Sequence, residues 1–369
     1  MDEIVNCFNH TENVFLLPKY IDDSERELLQ NAWSSLDLIN HIFLCSSGTS
    51  AKQGIFKSYA ISKKAILANA KCVNGLISAS DSDTWLGSLP TFHIGGISIY
   101  ARAYLSGSSV LHYDHKWDPQ NFFDILAEGS INFFSLVPTQ LYDLITLKRK
   151  CPKSIKAVFI GGDHLPSKLK EQALNLGYPL IATYGMTEVS SQFASAYQTE
   201  DSDEFLEVFP IHHIEREYPH HIESTALATF EILTNKNGDN HFKDLKGNFF
   251  IQDHLDFSDR EGKLFIRPLG RADSQIKIKG RLYNFLELQN TVHNYFVEKG
   301  LFDKAVLQYV NHDRDGKRLQ IYIEESIVLD LVDLNDFLSI SLPSPLLPVS
   351  ITIIKHIPRN SLNKVPLPD

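Results

Sequence analysis

The stretch YGMTE at Tyr184–Glu188 directly follows the apolar segment Pro179–Thr183, whose pattern predicts a buried strand. Working backwards from it, strand patterns and helix patterns alternate as far as His41–Cys45. Helix starts are marked by pairs such as Asp118-Pro119, an N-cap residue followed by proline. Such alternation predicts a largely parallel sheet with crossover helices. The fold class is therefore α/β, with a large N-terminal domain of mostly parallel sheet layers and helices.

The pattern changes downstream of this stretch. Residues 198–225 are acidic and then His-rich, without a clear period, and residues 229–266 predict short antiparallel strands that form a small β-rich part. Beyond Gly270-Arg271 the pattern becomes α+β. We therefore expect a large domain over residues 1–270 and a small α+β C-terminal lid domain over residues 271–369.

Composition excludes several classes of protein. The chain has 369 residues, 43% of them hydrophobic, and a net charge of −10, which is unfavourable for binding nucleic acid. No run approaches the roughly 18 apolar residues that a membrane span needs. The four cysteines are scattered, which favours reduced thiols in the cytoplasm.

His212-His213 and His220-His221 lack a nearby carboxylate or cysteine at ligand spacing, so we expect exposed loop histidines rather than a metal site.

Polar or glycine-rich segments follow the predicted strands, at the edge where open α/β sheets bind ligands. They are Ser46–Ser50, Phe92–Gly96, Val137–Thr139, Gly161–Asp163 and Tyr184–Glu188. Each of them, read alone, is also compatible with an ordinary turn. The first has hydroxyls and a glycine, with Lys57 further on, and such a loop can surround phosphate oxygens although it is not a Walker loop. A carboxylate such as Glu188 beside a hydroxyl can hold Mg²⁺ against a nucleotide phosphate.

The order and spacing of these segments resemble the acyl-adenylate-forming enzymes, which include acyl- and aryl-CoA ligases, luciferases and peptide-synthetase adenylation domains. The resemblance extends from about residue 42 to residue 364. Its blocks are Ser46–Thr49, Leu89–Gly96, Gly161-Gly162, Tyr184–Glu188, Asp253, Gly270–Asp273, Ile276–Gly280, Glu287 and Pro358–Lys364. Within this family, residues 85–111 and Tyr184–Gln192 are most similar to the o-succinylbenzoate–CoA ligases of menaquinone biosynthesis.

The resemblance implies an ATP-dependent acid–CoA ligase that acts through an acyl-adenylate, with ATP, Mg²⁺ and coenzyme A as its ligands. It implies roles for these residues: Ser46, Ser47, Gly48, Thr49, Ser50 and Lys57 at the β- and γ-phosphates; Thr187 at the α-phosphate; Glu188 on Mg²⁺; Gly161, Gly162, Asp163, Tyr184 and Gly185 around adenine; Asp253 and Arg271 at the ribose; Lys364 as the catalytic lysine; Asp273 as the hinge; and His93, Gly95, Gly96, Gln192, Lys279 and Gly280 at the acyl group and the thiol.

The sequence departs from the family pattern at three places. Matching Lys57 to the family's phosphate-loop lysine requires about three additional residues, so Lys52 is an alternative. Asn363 replaces the glycine before the last lysine, and only 45 residues precede the phosphate loop, where relatives usually carry a longer segment. Three alternatives therefore stay open: another aryl or medium-chain acid, a carrier protein in place of CoA, and a nucleotide-binding pseudo-enzyme. A homo-oligomer is also open.

Overall fold

The computed structural model describes residues 3–18, 21–45, 55–246, 249–271, 275–327, 329–347 and 349–359. The helices are α1 (Glu3–Asn6), α2 (Asp23–Ser34), α3 (Lys63–Ile77), α4 (Ile94–Ser106), α5 (Pro119–Ala127), α6 (Pro138–Thr146), α7 (Ser167–Asn175), α8 (Phe285–Glu298) and α9 (Leu331–Ser341). The strands up to the YGMTE stretch are β1 (Val14–Leu16), β2 (His41–Cys45), β3 (Ile55–Ser62), β4 (Thr84–Gly87), β5 (Ser109–His112), β6 (Phe133–Leu136), β7 (Ala157–Ile160) and β8 (Leu180–Met186).

The later strands are β9 (Ser191–Tyr197), β10 (Leu206–Val208), β11 (His212–Ile214), β12 (His220–Ser224), β13 (Phe230–Asn235), β14 (Asn240–Asp244), β15 (Phe249–Ile251), β16 (Asp253–Arg260), β17 (Lys263–Arg271), β18 (Gln275–Ile278), β19 (Arg281–Asn284), β20 (Ala305–His312), β21 (Gly316–Glu324) and β22 (Ser350–Ile354).

The central layer of the described residues is a nine-stranded sheet in the order β16-β17-β10-β9-β8-β7-β6-β4-β5. Its strands β8, β7, β6, β4 and β5 are parallel, whereas β9, β10, β17 and β16 pair antiparallel. Because successive side chains point to opposite faces, Trp85 packs in the core on the side of α3 and α4, and Leu86 in the core on the side of α5, α6 and α7. Helices therefore cover both faces, as a parallel sheet requires.

A second sheet, in the order β1-β2-β3-β13-β14, is mostly antiparallel. It differs from the parallel arrangement predicted for the start of the chain, because β3 returns directly beside β2 without a crossover helix. Helix α2 packs on it through Trp33, whose Nε1 donates to Oγ of Ser58 over 2.9 Å. The α/β fold class itself is confirmed.

The histidines at 212, 213, 220 and 221 were expected to be exposed and in loops, but all four lie in strands and only His213 is exposed. His212 lies in β11 and His220 in β12, with exposed fractions of 7% and 3%. In a strand one residue of each neighbouring pair faces inward, so His212 and His220 are buried. Among the described residues, no three His, Cys, Asp or Glu side chains are grouped as a metal site requires.

The C-terminal strands β18 to β22 form a separate sheet, which packs with α8 and α9 around its own apolar core. Side chains from this part also contact the large one. Phe302 lies 5.5 Å from the ring of Tyr142, and Oδ1 of Asn294 accepts a hydrogen bond from the backbone of Lys168 at the start of α7. The division at residues 270 and 271 stays a prediction. No helix in the described part of the chain is long and apolar enough to cross a membrane.

Candidate active site

A cavity of about 170 Å³ lies beyond the carboxyl ends of β4, β6, β7 and β8. This is the edge of the sheet at which the sequence predicts the ligand site. The cavity brings together residues from distant parts of the chain, namely Leu89, His93, Ile94, Gly95, Gly96, Arg102, Ser135, Leu136, Val137, Phe159, Gly161, Gly162, Thr183, Gly185, Met186, Thr187, Ser191 and Gln192. Eight of the residues predicted for the site are among them.

One wall is the start of α4. His93 is the N-cap residue of this helix and is buried, with its ring 4.5 Å from that of Phe92. A Cβ on Gly96 would come within 2.0 Å of the carbonyl oxygen of Pro90. Only glycine therefore lets the helix begin this close to the preceding turn, and this contact sets the position of His93.

The opposite wall follows β7 and β8. A Cβ on Gly161 would come within 2.3 Å of Oγ1 of Thr183, and one on Gly185 within 2.1 Å of the carbonyl oxygen of Ser191. Gly161 and Gly185 both line the cavity, and the close approaches leave no room for a side chain at either position. The hydroxyl of Tyr184 donates a hydrogen bond to the carboxylate of Asp253 at the start of β16. Residues predicted to contact adenine and ribose are thus joined directly.

Arg102 lies in the cavity wall and is fully buried, with an exposed fraction of 2%. Its Nη2 donates to Oε1 of Gln192 over 3.2 Å, and its guanidinium lies 5.4 Å from the ring of Trp85 and 5.2 Å from that of Phe159. No described carboxylate lies within ion-pair distance, and Nε has no hydrogen-bond partner. Burial lowers the pKa of Arg102 to about 9. A buried cation without an anion is costly, so this site favours an anionic ligand.

A second cluster surrounds Glu188. The ammonium group of Lys57, in β3, lies 3.6 Å from Oε1 of Glu188 and 2.7 Å from Oε2 of Glu231 in β13. The hydroxyl of Tyr59 donates to Oε1 of Glu188 over 2.5 Å. Burial, followed by the charge of Glu188, strongly raises the pKa of Tyr59. Because Thr187 lines the cavity, residues 187 and 188 connect this cluster with it.

Other predicted residues lie elsewhere. Asp163 lines a small pocket of about 30 Å³ between the large and C-terminal parts, together with His164 and His293. Lys279 donates from Nζ to the carbonyl of Leu347 and from its backbone to Asp315, and with Gly280 it forms the turn between β18 and β19. Neither Lys279 nor Gly280 lines the cavity. Ser46, Ser47, Gly48, Thr49, Ser50, Lys52, Asp273, Lys364 and the side chain of Arg271 lie outside the described residues.

Three site residues were not anticipated from the sequence: Arg102, Tyr59 and Glu231. Arg102 had a signal, since it is the one charged residue in the apolar helix Ile94–Ser106. Tyr59 and Glu231 had none, because their contact joins strands that are 172 residues apart in the chain.

Residues 38–212, which contain the cavity residues, match the family model of AMP-binding enzymes. This match covers a little under half of the chain. The chain is 35% identical over 144 residues to the 2-succinylbenzoate–CoA ligase of Lactococcus lactis, covering 39% of this chain and 31% of the relative. It is 36% identical over 166 residues to that of Escherichia coli K12, covering 45% and 34%.

Solved structures share the fold of this chain. The o-succinylbenzoate CoA synthetase of Bacillus subtilis, in complex with the acyl-adenylate OSB-AMP, superposes with a TM-score of 0.70 at 20% identity and covers 88% of this chain and 67% of that one. An arginine-to-lysine variant of E. coli MenE with bound OSB-AMS also gives a TM-score of 0.70 at 20% identity, covering 96% of this chain and 87% of that one. In sequence, the chain spans about a third of the length of the curated relatives it matches.

Proposed function

We propose that this protein is an ATP-dependent acid–CoA ligase that acts through an acyl-adenylate, and that its acid is o-succinylbenzoate, for menaquinone biosynthesis. The choice of acid rests on Arg102, which is a buried cation in the cavity wall without a described carboxylate partner. o-Succinylbenzoate has two carboxylates. One of them can react with ATP while the other pairs with Arg102 and receives a charge-assisted hydrogen bond. The matched relatives, themselves 2-succinylbenzoate–CoA ligases, support this choice.

The first half-reaction joins the acid to AMP. A carboxylate oxygen of the acid attacks the α-phosphorus of ATP, and the bond from that phosphorus to the bridging oxygen breaks, so that pyrophosphate leaves. Two anions approach one another, so the reaction needs donors placed where negative charge develops. We assign this role to Thr187, to Lys57 and Ser46–Ser50 at the phosphates, and to Lys364.

The nucleoside part of ATP needs a flat groove and a hydrogen-bond acceptor. We place adenine along Gly161, Gly162, Tyr184 and Gly185, and the ribose hydroxyls on Asp253 with Arg271 beside it. Tyr184 supports this placement, because its hydroxyl donates a hydrogen bond to the carboxylate of Asp253 at the start of β16. We include Asp163 in the adenine site only because it ends the Gly161–Asp163 turn.

Magnesium fits the residues near the phosphate site. Mg²⁺ usually takes one or two carboxylates together with substrate phosphates and water, and Glu188 supplies one carboxylate with an exposed fraction of 16%. The ion would neutralise phosphate charge during transfer. Glu188 would hold it, and Thr187 would contact the α-phosphate.

The second half-reaction transfers the acyl group to CoA. The thiol sulfur attacks the acyl carbon, the bond to the phosphate oxygen breaks, AMP leaves, and the thiol proton passes to solvent. We propose that residues 271–369 rotate about Asp273 between the two halves, so that Lys279 and Gly280 face the thiol. His93, Gly95 and Gly96 would line its path, next to the acyl group.

The four cysteines, Cys7, Cys45, Cys72 and Cys151, are free thiols. They support a reducing compartment, and we propose the cytoplasm. Self-association into a homo-oligomer stays a prediction.

The test is a panel of carboxylic acids with ATP, Mg²⁺ and CoA, read as pyrophosphate and AMP release. We expect release with o-succinylbenzoate. Release only with fatty acids or simple benzoic acids would keep the ligase and exclude this acid. Adenylate formation without consumption of CoA would indicate a carrier-protein acceptor. No pyrophosphate with any acid would indicate a nucleotide-binding pseudo-enzyme.

A further inference from the structure

We infer that Glu231 is a positioning residue of the phosphate site: it holds the ammonium group of Lys57 and thereby leaves the carboxylate of Glu188 available for Mg²⁺. The inference rests on the proposed function, in which Glu188 binds the metal and Lys57 binds phosphate. Glu231 lies outside every segment that the sequence predicts for the site.

The register of two strands creates this arrangement. In the antiparallel pair β3–β13, Tyr59 lies opposite Glu231 and Lys57 lies opposite Leu233. Lys57 and Tyr59 are two residues apart and share one face of the sheet. Glu231 is the direct neighbour of Tyr59 and the diagonal neighbour of Lys57, which a long side chain can reach.

The distances rank the partners of Lys57. Its Nζ lies 2.7 Å from Oε2 of Glu231 but 3.6 Å from Oε1 of Glu188, so Glu231 is its primary partner. Oε1 of Glu188 receives the hydroxyl of Tyr59 over 2.5 Å, and that hydroxyl lies 3.4 Å from Oε2 of Glu231. The three charged side chains are largely shielded, with exposed fractions of 31%, 16% and 17% for Lys57, Glu188 and Glu231.

Charge explains why the second carboxylate matters. A divalent cation that binds Glu188 weakens the attraction between that carboxylate and Lys57. Glu231 remains as the counterion that keeps Lys57 in place, and the ammonium group has three N–H donors, of which two stay available for phosphate oxygens. Without Glu231, Lys57 would pair fully with Glu188, and Mg²⁺ would have to compete for the same carboxylate.

A purely electrostatic role of Glu231 predicts the opposite change in ATP binding. If the residue only contributed negative charge beside the phosphates, its neutralisation would reduce repulsion and ATP would bind more tightly. If it positions Lys57, its neutralisation makes ATP binding demand more Mg²⁺. The direction in which ATP binding changes therefore distinguishes a positioning role of Glu231 from a purely electrostatic one.

The experiment measures ATP binding by calorimetry as Mg²⁺ is titrated, for wild type, Glu231→Gln, Lys57→Met and the double variant. We expect Glu231→Gln to raise the Mg²⁺ concentration for half-maximal ATP binding about fivefold, the factor corresponding to a partly shielded ion pair. In the Lys57→Met background the same change should shift it less than about twofold, because the competing ammonium group is gone. AMP, which lacks the β- and γ-phosphates, should bind both Glu231 forms equally.

Glu223→Gln is the matched control, since Glu223 is exposed in β12 and outside this cluster. It should not change the Mg²⁺ requirement. Glu231→Ala, with unfolding midpoints recorded for all variants, provides a second test of the same position and should shift the requirement in the same direction. If the wild type binds Mg²⁺–ATP but Glu231→Gln has an unchanged or lowered Mg²⁺ requirement, the inference about Glu231 is overturned. That result would not overturn the proposed function. Wild type that does not bind ATP would overturn the proposed function and the inference with it.

Discussion

Nη2 of Arg102 and Oε1 of Gln192 lie 3.2 Å apart in the wall of the cavity, and this hydrogen bond fixes a buried guanidinium that has no described anionic partner. Trp85 and Phe159 lie against the guanidinium and shield it. The arrangement costs stability in the free protein, because a desolvated charge is left without a counterion. An acid with a second carboxylate would supply that counterion, and this relationship therefore connects the fold to the choice of substrate.

Arg102→Met should raise the KM for o-succinylbenzoate about 100-fold, since truncating one partner of a buried charge pair typically costs 2–5 kcal/mol. The KM for ATP should stay within about twofold, because Arg102 lies apart from the Lys57–Glu188 cluster. Steady-state kinetics with each substrate varied in turn measures both values. Arg149→Met, at an exposed position, is the control and should change neither. Equal losses for the acid and for ATP would contradict this role.

Gly96→Ala should lower the free energy of unfolding by about 1–3 kcal/mol, because the added Cβ would lie 2.0 Å from the backbone oxygen of Pro90 and neither atom can move freely. Gly95→Ala, one residue earlier in the same helix, meets only the flexible Leu89 side chain at 3.3 Å. It should change stability by less than about 1 kcal/mol, and the helix propensity of alanine acts in its favour. Urea unfolding of the two variants tests the difference. Equal effects would mean that the close approach at Pro90 does not constrain the helix start.

Tyr184→Phe should raise the KM for ATP about tenfold, because it removes the hydrogen bond that holds the carboxylate of Asp253, and bonds to charged groups contribute roughly 1.5–3 kcal/mol. The KM for the acid should change little. Tyr197→Phe, an exposed tyrosine at the end of β9, provides the comparison. If Tyr184→Phe left nucleotide affinity intact, Asp253 would not depend on Tyr184 for its position.

Asp143→Asn should stabilise the protein above pH 6. The pKa of Asp143 is raised to about 6, chiefly by burial and also by the charge of Asp303. The hydrogen bond from Trp117 and the charges of Arg359 and Lys304 lower this pKa but do not offset the effect of burial. A carboxyl whose pKa is higher in the folded state costs stability once it ionises, so the cost is present above pH 6 and disappears below about pH 4. Unfolding at pH 7.5 should show a gain of about 1–3 kcal/mol for the asparagine variant. The gain should vanish at pH 4, and a gain that does not depend on pH would contradict the ionisation of Asp143 as its cause.

Much of the sheet could be predicted because strand and helix patterns have a local cause. Asp118 caps α5 as the sequence indicates, and the glycines at 96, 161 and 185 lie where the chain makes close approaches. Contacts between distant strands could not be predicted, since nothing local determines that Glu231 lies opposite Tyr59. The His-rich segment was misread for a related reason. Its short strands β11 and β12 contain only a few residues each, too few to establish a period, and their pairing decides which histidines are buried.

The proposed ligase activity is tested by incubating the protein with ATP, Mg²⁺, CoA and o-succinylbenzoate and identifying the products by mass spectrometry. We expect o-succinylbenzoyl-CoA together with AMP and pyrophosphate in equal amounts, and a rate about 10²- to 10³-fold lower for Lys364→Ala. Absence of pyrophosphate with o-succinylbenzoate and with every other acid of a broad carboxylate panel would exclude the proposed ligase function.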